Sequence, residues 1–101
     1  MKLLYRPQFL ADVTDCADYL VTEAGDKVAT NWYQELKNVV AHIQRTPEIG
    51  RLRHDLPVAG IRTFNLRKYP NYLVFYRLEE GTIELLRIRH GMMNLPELFS
   101  E

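Results

Sequence analysis

The stretch YLVFYRLEEGTIELLRIRH, residues 72–90, decides the fold. Its two ends are rich in β-branched and aromatic side chains, and EEG lies between them, so it predicts two antiparallel strands closed by a tight turn. Upstream, IRTFNL (61–66) continues the two-residue alternation and predicts another strand. The segment TPEIGRLRHDLPVAG (46–60) has two prolines and two glycines and no sustained period. It reads as a connecting loop that carries Arg51, Arg53 and His54.

Further toward the N-terminus the period lengthens. Phe9, Val13, Ala17, Leu20, Val21 and Ala24 recur at steps of three and four, with Asp12, Asp15, Asp18 and Glu23 between them. This predicts an amphipathic helix over 7–24, opened by Pro7 and stopped by Gly25, with Asp26 as N-cap of the next element. A second helix follows with Val28, Trp32, Leu36, Val39, Val40 and Ile43 on one face, ending before Pro47. KLLYR, residues 2–6, predicts a short first strand. The resulting order β-α-α-β-β-β is an α+β arrangement, a helical hairpin packed on one face of a small antiparallel sheet. The other sheet face, with its arginines and aromatics, is left for a partner. The tail NLPELFSE adds an expected helical turn whose Leu95, Leu98 and Phe99 pack back onto the rest.

A chain of 101 residues, 47% hydrophobic and 26% charged, fits one domain over 1–101 and excludes a disordered or fibrous protein. The lone Cys16 rules out an internal disulfide and a multi-thiolate metal site, and its expected role is a small buried thiol. MKLLYRPQF is too short and too interrupted to be a signal-peptide core, and no run approaches a membrane span, so the cytoplasm is expected and a membrane partner is not. Net charge is zero, but residues 1–44 hold four basic against six acidic residues while residues 45–90 hold nine against five. That asymmetry points to an acidic partner, either nucleic acid or an acidic protein segment; solvated arginines on sheet edges give the same pattern.

Arg62, Arg67, Arg87, Arg89 and His90 all lie on or beside predicted strands. Cleavage of RNA through its ribose 2′-hydroxyl needs a general base, a general acid and cations around the phosphate. The cations are present, His90 is the best titratable group, and Glu48 is a solitary loop carboxylate. Alternation puts Arg87 and Arg89 on one face and His90 on the other. Tyr69, Tyr72, Phe75 and Tyr76 are candidates either for base stacking or for the core, Trp32 for the core, and His42 and His54 for the surface. No phosphate-cradling glycine loop, zinc-ligand spacing, nucleophile elbow or paired-carboxylate motif occurs, so no metal or other cofactor is expected.

Taken together, LLYRPQFLADV, DYLVTEAGDKVATNWYQEL, PEIGRLR and IRTFNLRKYPNYLVFYRLEEGTIELLRIRHG, with the spacing Arg62, Tyr72, Tyr76, Arg87, His90, resemble the ParE branch of the RelE/ParE superfamily of bacterial type II toxins. The resemblance runs over about residues 2–94 and implies a toxin neutralised by a cognate antitoxin that wraps around it. That antitoxin is expected to be ParD-like, with a ribbon-helix-helix end through which the toxin–antitoxin complex binds operator DNA. It also implies DNA gyrase as the target, whereas RelE members cleave messenger RNA at the ribosome. Gly91 follows His90 where the RelE pattern has tyrosine, which favours the gyrase branch; the rival nuclease would use Arg62, Arg67 and His90. Met92 and Met93 stand where ParE members commonly carry arginine, which opens a third reading, an attenuated toxin that only binds antitoxin. Arg62, Arg67, Tyr72, Arg87, Arg89, His90, Met92 and Met93 are the candidate contact residues for target and antitoxin.

Overall fold

A computed structural model describes residues 1–91 and Phe99. The elements are β1 (Lys2–Tyr5), α1 (Pro7–Ala24), α2 (Asp26–Arg45), β2 (Arg51–Leu52), β3 (Ile61–Asn65), β4 (Tyr72–Glu79) and β5 (Thr82–His90). The strands form one five-stranded sheet in the order β1-β5-β4-β3-β2, with the α1–α2 hairpin on one face.

The predicted helices and hairpin have the expected bounds. Gly25 ends α1 at φ 93°, where a side chain is strained, and its N–H closes onto the Leu20 and Val21 carbonyls. Asp26 is the first residue of α2 rather than its N-cap; that place falls to Gly25, and no side chain caps the helix. The β4–β5 turn is made by Glu80 (φ 41°) and Gly81 (φ 82°) between the paired Glu79 and Thr82. Positive φ at both turn residues matches the right-handed strand twist, as in type I′ hairpins.

The sheet is mixed rather than purely antiparallel, because β1 runs parallel to β5, Lys2 opposite Thr82 and Tyr5 opposite Leu85. The chain between them, the α1–α2 hairpin followed by β2, β3 and β4, supplies the long connection a parallel pair needs, and β5 accepts β1 on the edge away from β4. The expected loop 46–60 also contributes β2, two residues paired antiparallel to β3. A bulge interrupts the β4–β5 ladder: Phe75 faces Arg87 but Tyr76 faces Leu85, leaving Leu86 as the extra residue.

The main core lies between helices and sheet. Phe9, Trp32, Leu36, Val39 and Ile43 pack against Val74, Tyr76, Ile83, Leu85 and Ile88. The opposite face is not simply open to a partner: Leu56, Ile61 and Phe75 form a smaller cluster there, joined by Leu73, Leu86 and Phe99. Phe99 reaches Phe75 with ring centroids 5.5 Å apart, whereas the expected helical turn of the tail otherwise lies outside the described residues. Asp12, read as lying between the apolar positions of α1, is buried instead, and so is Glu35 on α2. Val21 is exposed although it belongs to the predicted apolar stripe of α1.

Candidate functional site

The site is built around the end of β5. β1 reaches only as far as Leu85, whose carbonyl accepts the Arg6 N–H, and the chain then enters α1. Beyond that point the edge of β5 faces α1, and the side chain that meets it is Asp12. Its Oδ2 accepts the Arg87 Nε–H at 2.7 Å and the Ile88 backbone N–H at 3.1 Å. Its Oδ1 accepts from Nη2 of Arg87 at 3.0 Å and Nη1 of Arg89 at 3.4 Å. The paired geometry with Arg87 is the strong bidentate form, and the Asp12 carboxylate raises the Arg87 guanidinium further above its ordinary value.

Next to this cluster is a cleft of about 360 Å³ lined by Asp15, Cys16 and Tyr19 of α1, Tyr72 of β4, and Arg89 and His90 of β5. Tyr72 stands edge-on to Trp32 on one side (5.6 Å, 66°) and to His90 on the other (5.3 Å, 84°). Burial pushes the Cys16 thiol up to about 11, with the Asp12 charge adding to the effect, so it stays protonated at neutral pH. Burial likewise raises Tyr72. A guanidinium, an imidazole, a carboxylate and two phenols line the cleft, and its thiol is not an activated nucleophile.

The other candidates are elsewhere. Arg62 is a brace: its Nη1 donates to the Glu48 and Gly50 carbonyls at 3.2 and 2.9 Å, tying β3 to the loop after α2. Arg67 borders a separate cleft of about 240 Å³ with Glu35, His42 and Arg45, and its backbone N–H donates to Glu35 Oε2 at 3.0 Å. His42, expected at the surface, is half-buried against Phe64. The nuclease set Arg62, Arg67 and His90 therefore falls in three places. The aromatic set is split too, with Tyr76 in the main core, Phe75 across the sheet, and Tyr69 and Tyr72 half-buried. Glu48 and His54 are exposed. Met92 and Met93 lie outside the described residues.

Several arginines behind the expected basic surface are engaged internally. Arg53 pairs with Asp55, Arg77 with Glu84, and Arg87 and Arg89 with Asp12. Among the described residues no group of three or more His, Cys, Asp or Glu is placed to hold a metal ion. Two features escaped the sequence reading. Asp12 carried a signal, since it sits three residues after Phe9 and four before Cys16, inside the apolar stripe. The other is an apolar groove of about 460 Å³ between β1 and the helices, rimmed by exposed Tyr5, Leu10 and Tyr33. Its residues come from three elements, so no local pattern announces it.

A family model described as "ParE toxin of type II toxin-antitoxin system, parDE" matches residues 3–95. The chain belongs to the ParE toxins. It is 37% identical over 71 residues to Toxin ParE3 of Caulobacter vibrioides, across 70% of this chain and 67% of that protein. A solved structure titled "Chromosomal ParDE TA system from P. aeruginosa" superposes with a TM-score of 0.76 at 26% identity, covering 89% of this chain and 95% of that one. As a ParE toxin the chain is one half of a toxin–antitoxin pair. The β5 end described here lies within the matched region.

Proposed function

We propose that this ParE toxin acts by binding DNA gyrase rather than by catalysis, through the end of β5 that carries Arg87, Arg89 and His90, with Tyr72 beside His90. The observation that carries this is the dispersal of Arg62, Arg67 and His90, which leaves RNA cleavage without an assembled acid, base and cation set. In this reading the whole chain, residues 1–101, acts as one toxin domain in the cytoplasm, where gyrase is found. Among the described residues no helix is long and apolar enough to cross a membrane. The cognate antitoxin is ParD-like, wraps the toxin and occludes the β5 end, and carries a ribbon-helix-helix through which the complex binds operator DNA. The apolar groove beside β1 supports such a wrapped contact.

Supercoiling by purified gyrase should slow when free toxin is added, with trapped DNA breaks, and should recover when antitoxin is supplied. Unchanged supercoiling and no breaks at stoichiometric excess reject the reading. Codon-phased cuts in messenger RNA on induction, lost in His90→Ala, would put the nuclease reading in its place. Normal growth on expression without antitoxin would favour the attenuated toxin.

A further inference from the structure

The cleft that Arg67 borders takes no part in the β5 site. Glu35, Asn38, His42 and Arg45 follow one another along α2 at steps of three, four and three, so they form one stripe, and Arg67 lines the same cleft of about 240 Å³. Arg67 and the exposed Lys68 ride on a closed loop. The Leu66 N–H donates to the Tyr72 carbonyl at 3.1 Å, the Tyr72 N–H to the Tyr69 carbonyl at 2.9 Å, and Asn65 Nδ2 to the Pro70 carbonyl. Leu66 is fully buried and Tyr69 packs half-buried against the core. Glu35 Oε2 accepts the Arg67 N–H at 3.0 Å, which fastens this loop to the helix.

Arg45, Arg67 and Lys68 are exposed, and none of the three forms an ion pair among the described residues. Against their three charges the cleft sets one carboxylate, that of Glu35, which is 8% exposed. The other polar groups add donors. Asn38 Oδ1 already accepts from Gln34 Nε2 at 3.2 Å, which leaves the Asn38 amide protons to give, and the His42 ring is held edge-on to Phe64. A basic last turn suits the dipole of α2, but that role asks nothing of Arg67 or Lys68.

We infer that this cleft binds the phosphate backbone of duplex DNA. The planar forks of Arg45 and Arg67 match phosphate oxygens, and Lys68 adds a point charge beside them. A cleft smaller than the roughly 300 Å³ at which small-molecule pockets begin admits a phosphate and not a whole nucleotide. Val39 is the one apolar residue of its lining, and no Phe, Tyr or Trp lines it. Single strands therefore find no ring to stack on, and a peptide finds no anchor. The contact is with backbone alone, independent of base sequence. It stands apart from the question of whether gyrase is the target.

Titrating the isotope-labelled full-length protein with a short DNA duplex should shift the NMR signals of His42, Arg67, Lys68 and the Asn38 side chain together and saturably. Arg45→Gln combined with Arg67→Gln, both at exposed positions, should weaken binding about tenfold and flatten the log–log salt slope by about 2. Glu35→Gln keeps an acceptor for the Arg67 N–H and removes the opposing charge, so it should tighten binding severalfold. Glu23→Gln, which removes the same charge from exposed α1, should not. Shifts centred elsewhere, no shift in excess duplex, equal binding by the double variant, or equal effects of Glu35→Gln and Glu23→Gln overturn the inference. So does a stronger response of the same residues to single-stranded RNA or to an acidic peptide. The spectra report folding, and the double surface variant decides if Glu35→Gln unfolds.

Discussion

Tyr76 carries more of the structure than its place in an aromatic run suggests. Its phenol donates to the Pro47 carbonyl at 2.6 Å and accepts the Gly50 N–H at 2.8 Å, so a core ring also anchors the loop leaving α2. Tyr76→Phe strands that buried N–H and should cost about 1–3 kcal/mol, seen as a lower denaturant midpoint. Gly50→Ala should cost a similar amount, about 1–3 kcal/mol, for a steric reason. A Cβ there would stand 2.5 Å from the Tyr76 Oη and 2.7 Å from its ring. Combined with Tyr76→Phe the loss should be partly relieved, since one of the two clashes goes; strict additivity would rule this account out. At this scale the sequence was legible wherever a residue's role follows from its period. Asp12 and Glu35 sit within the helical stripes, next to Val13 and Leu36, but the period shows only which way they face. Their partners, Arg87 and the Arg67 backbone, come from distant parts of the chain.

Among the elements, the helices and the long strands were readable because each is specified by its own residues. β2 was not: two residues have no period, and Arg51 and Leu52 become a strand only because Thr63 and Arg62 lie alongside. β1 was readable as a strand but not as a parallel one, since the choice of neighbour depends on the whole topology. The β4–β5 turn shows a local rule only half obeyed. Gly81 suits its positive φ, whereas Glu80 adopts φ 41° against the preference of a side chain without local hydrogen bonding. Glu80→Asn should therefore stabilise the protein by about 0.5 kcal/mol. Thermal unfolding would show it as a rise of about 2–4 °C; a lower midpoint would mean that Glu80 has a use the turn geometry does not reveal.

For the whole molecule, the central fact is that β5 lies between β1 and β4 and lines the core beneath both helices. A chain cut after Glu80 loses Ile83, Leu85 and Ile88, three fully buried residues, and the strand with which β1 pairs. Such a chain should not fold. Trp32, the single tryptophan, is fully buried and reports on this directly: its emission should be blue-shifted in the full chain and at the wavelength of the denatured protein in the truncated one. The ion pair of the candidate site obeys the same logic, since Asp12 is made early and Arg87 late. At synthesis rates of about 5–20 residues per second, roughly 4–16 s separate the translation of Tyr5 from that of Leu85. Through that interval the first strand waits on the ribosome with nothing to pair with. A nascent chain is therefore not yet a toxin, and the arginine edge held by Asp12 comes into being only in the last moments of its own manufacture.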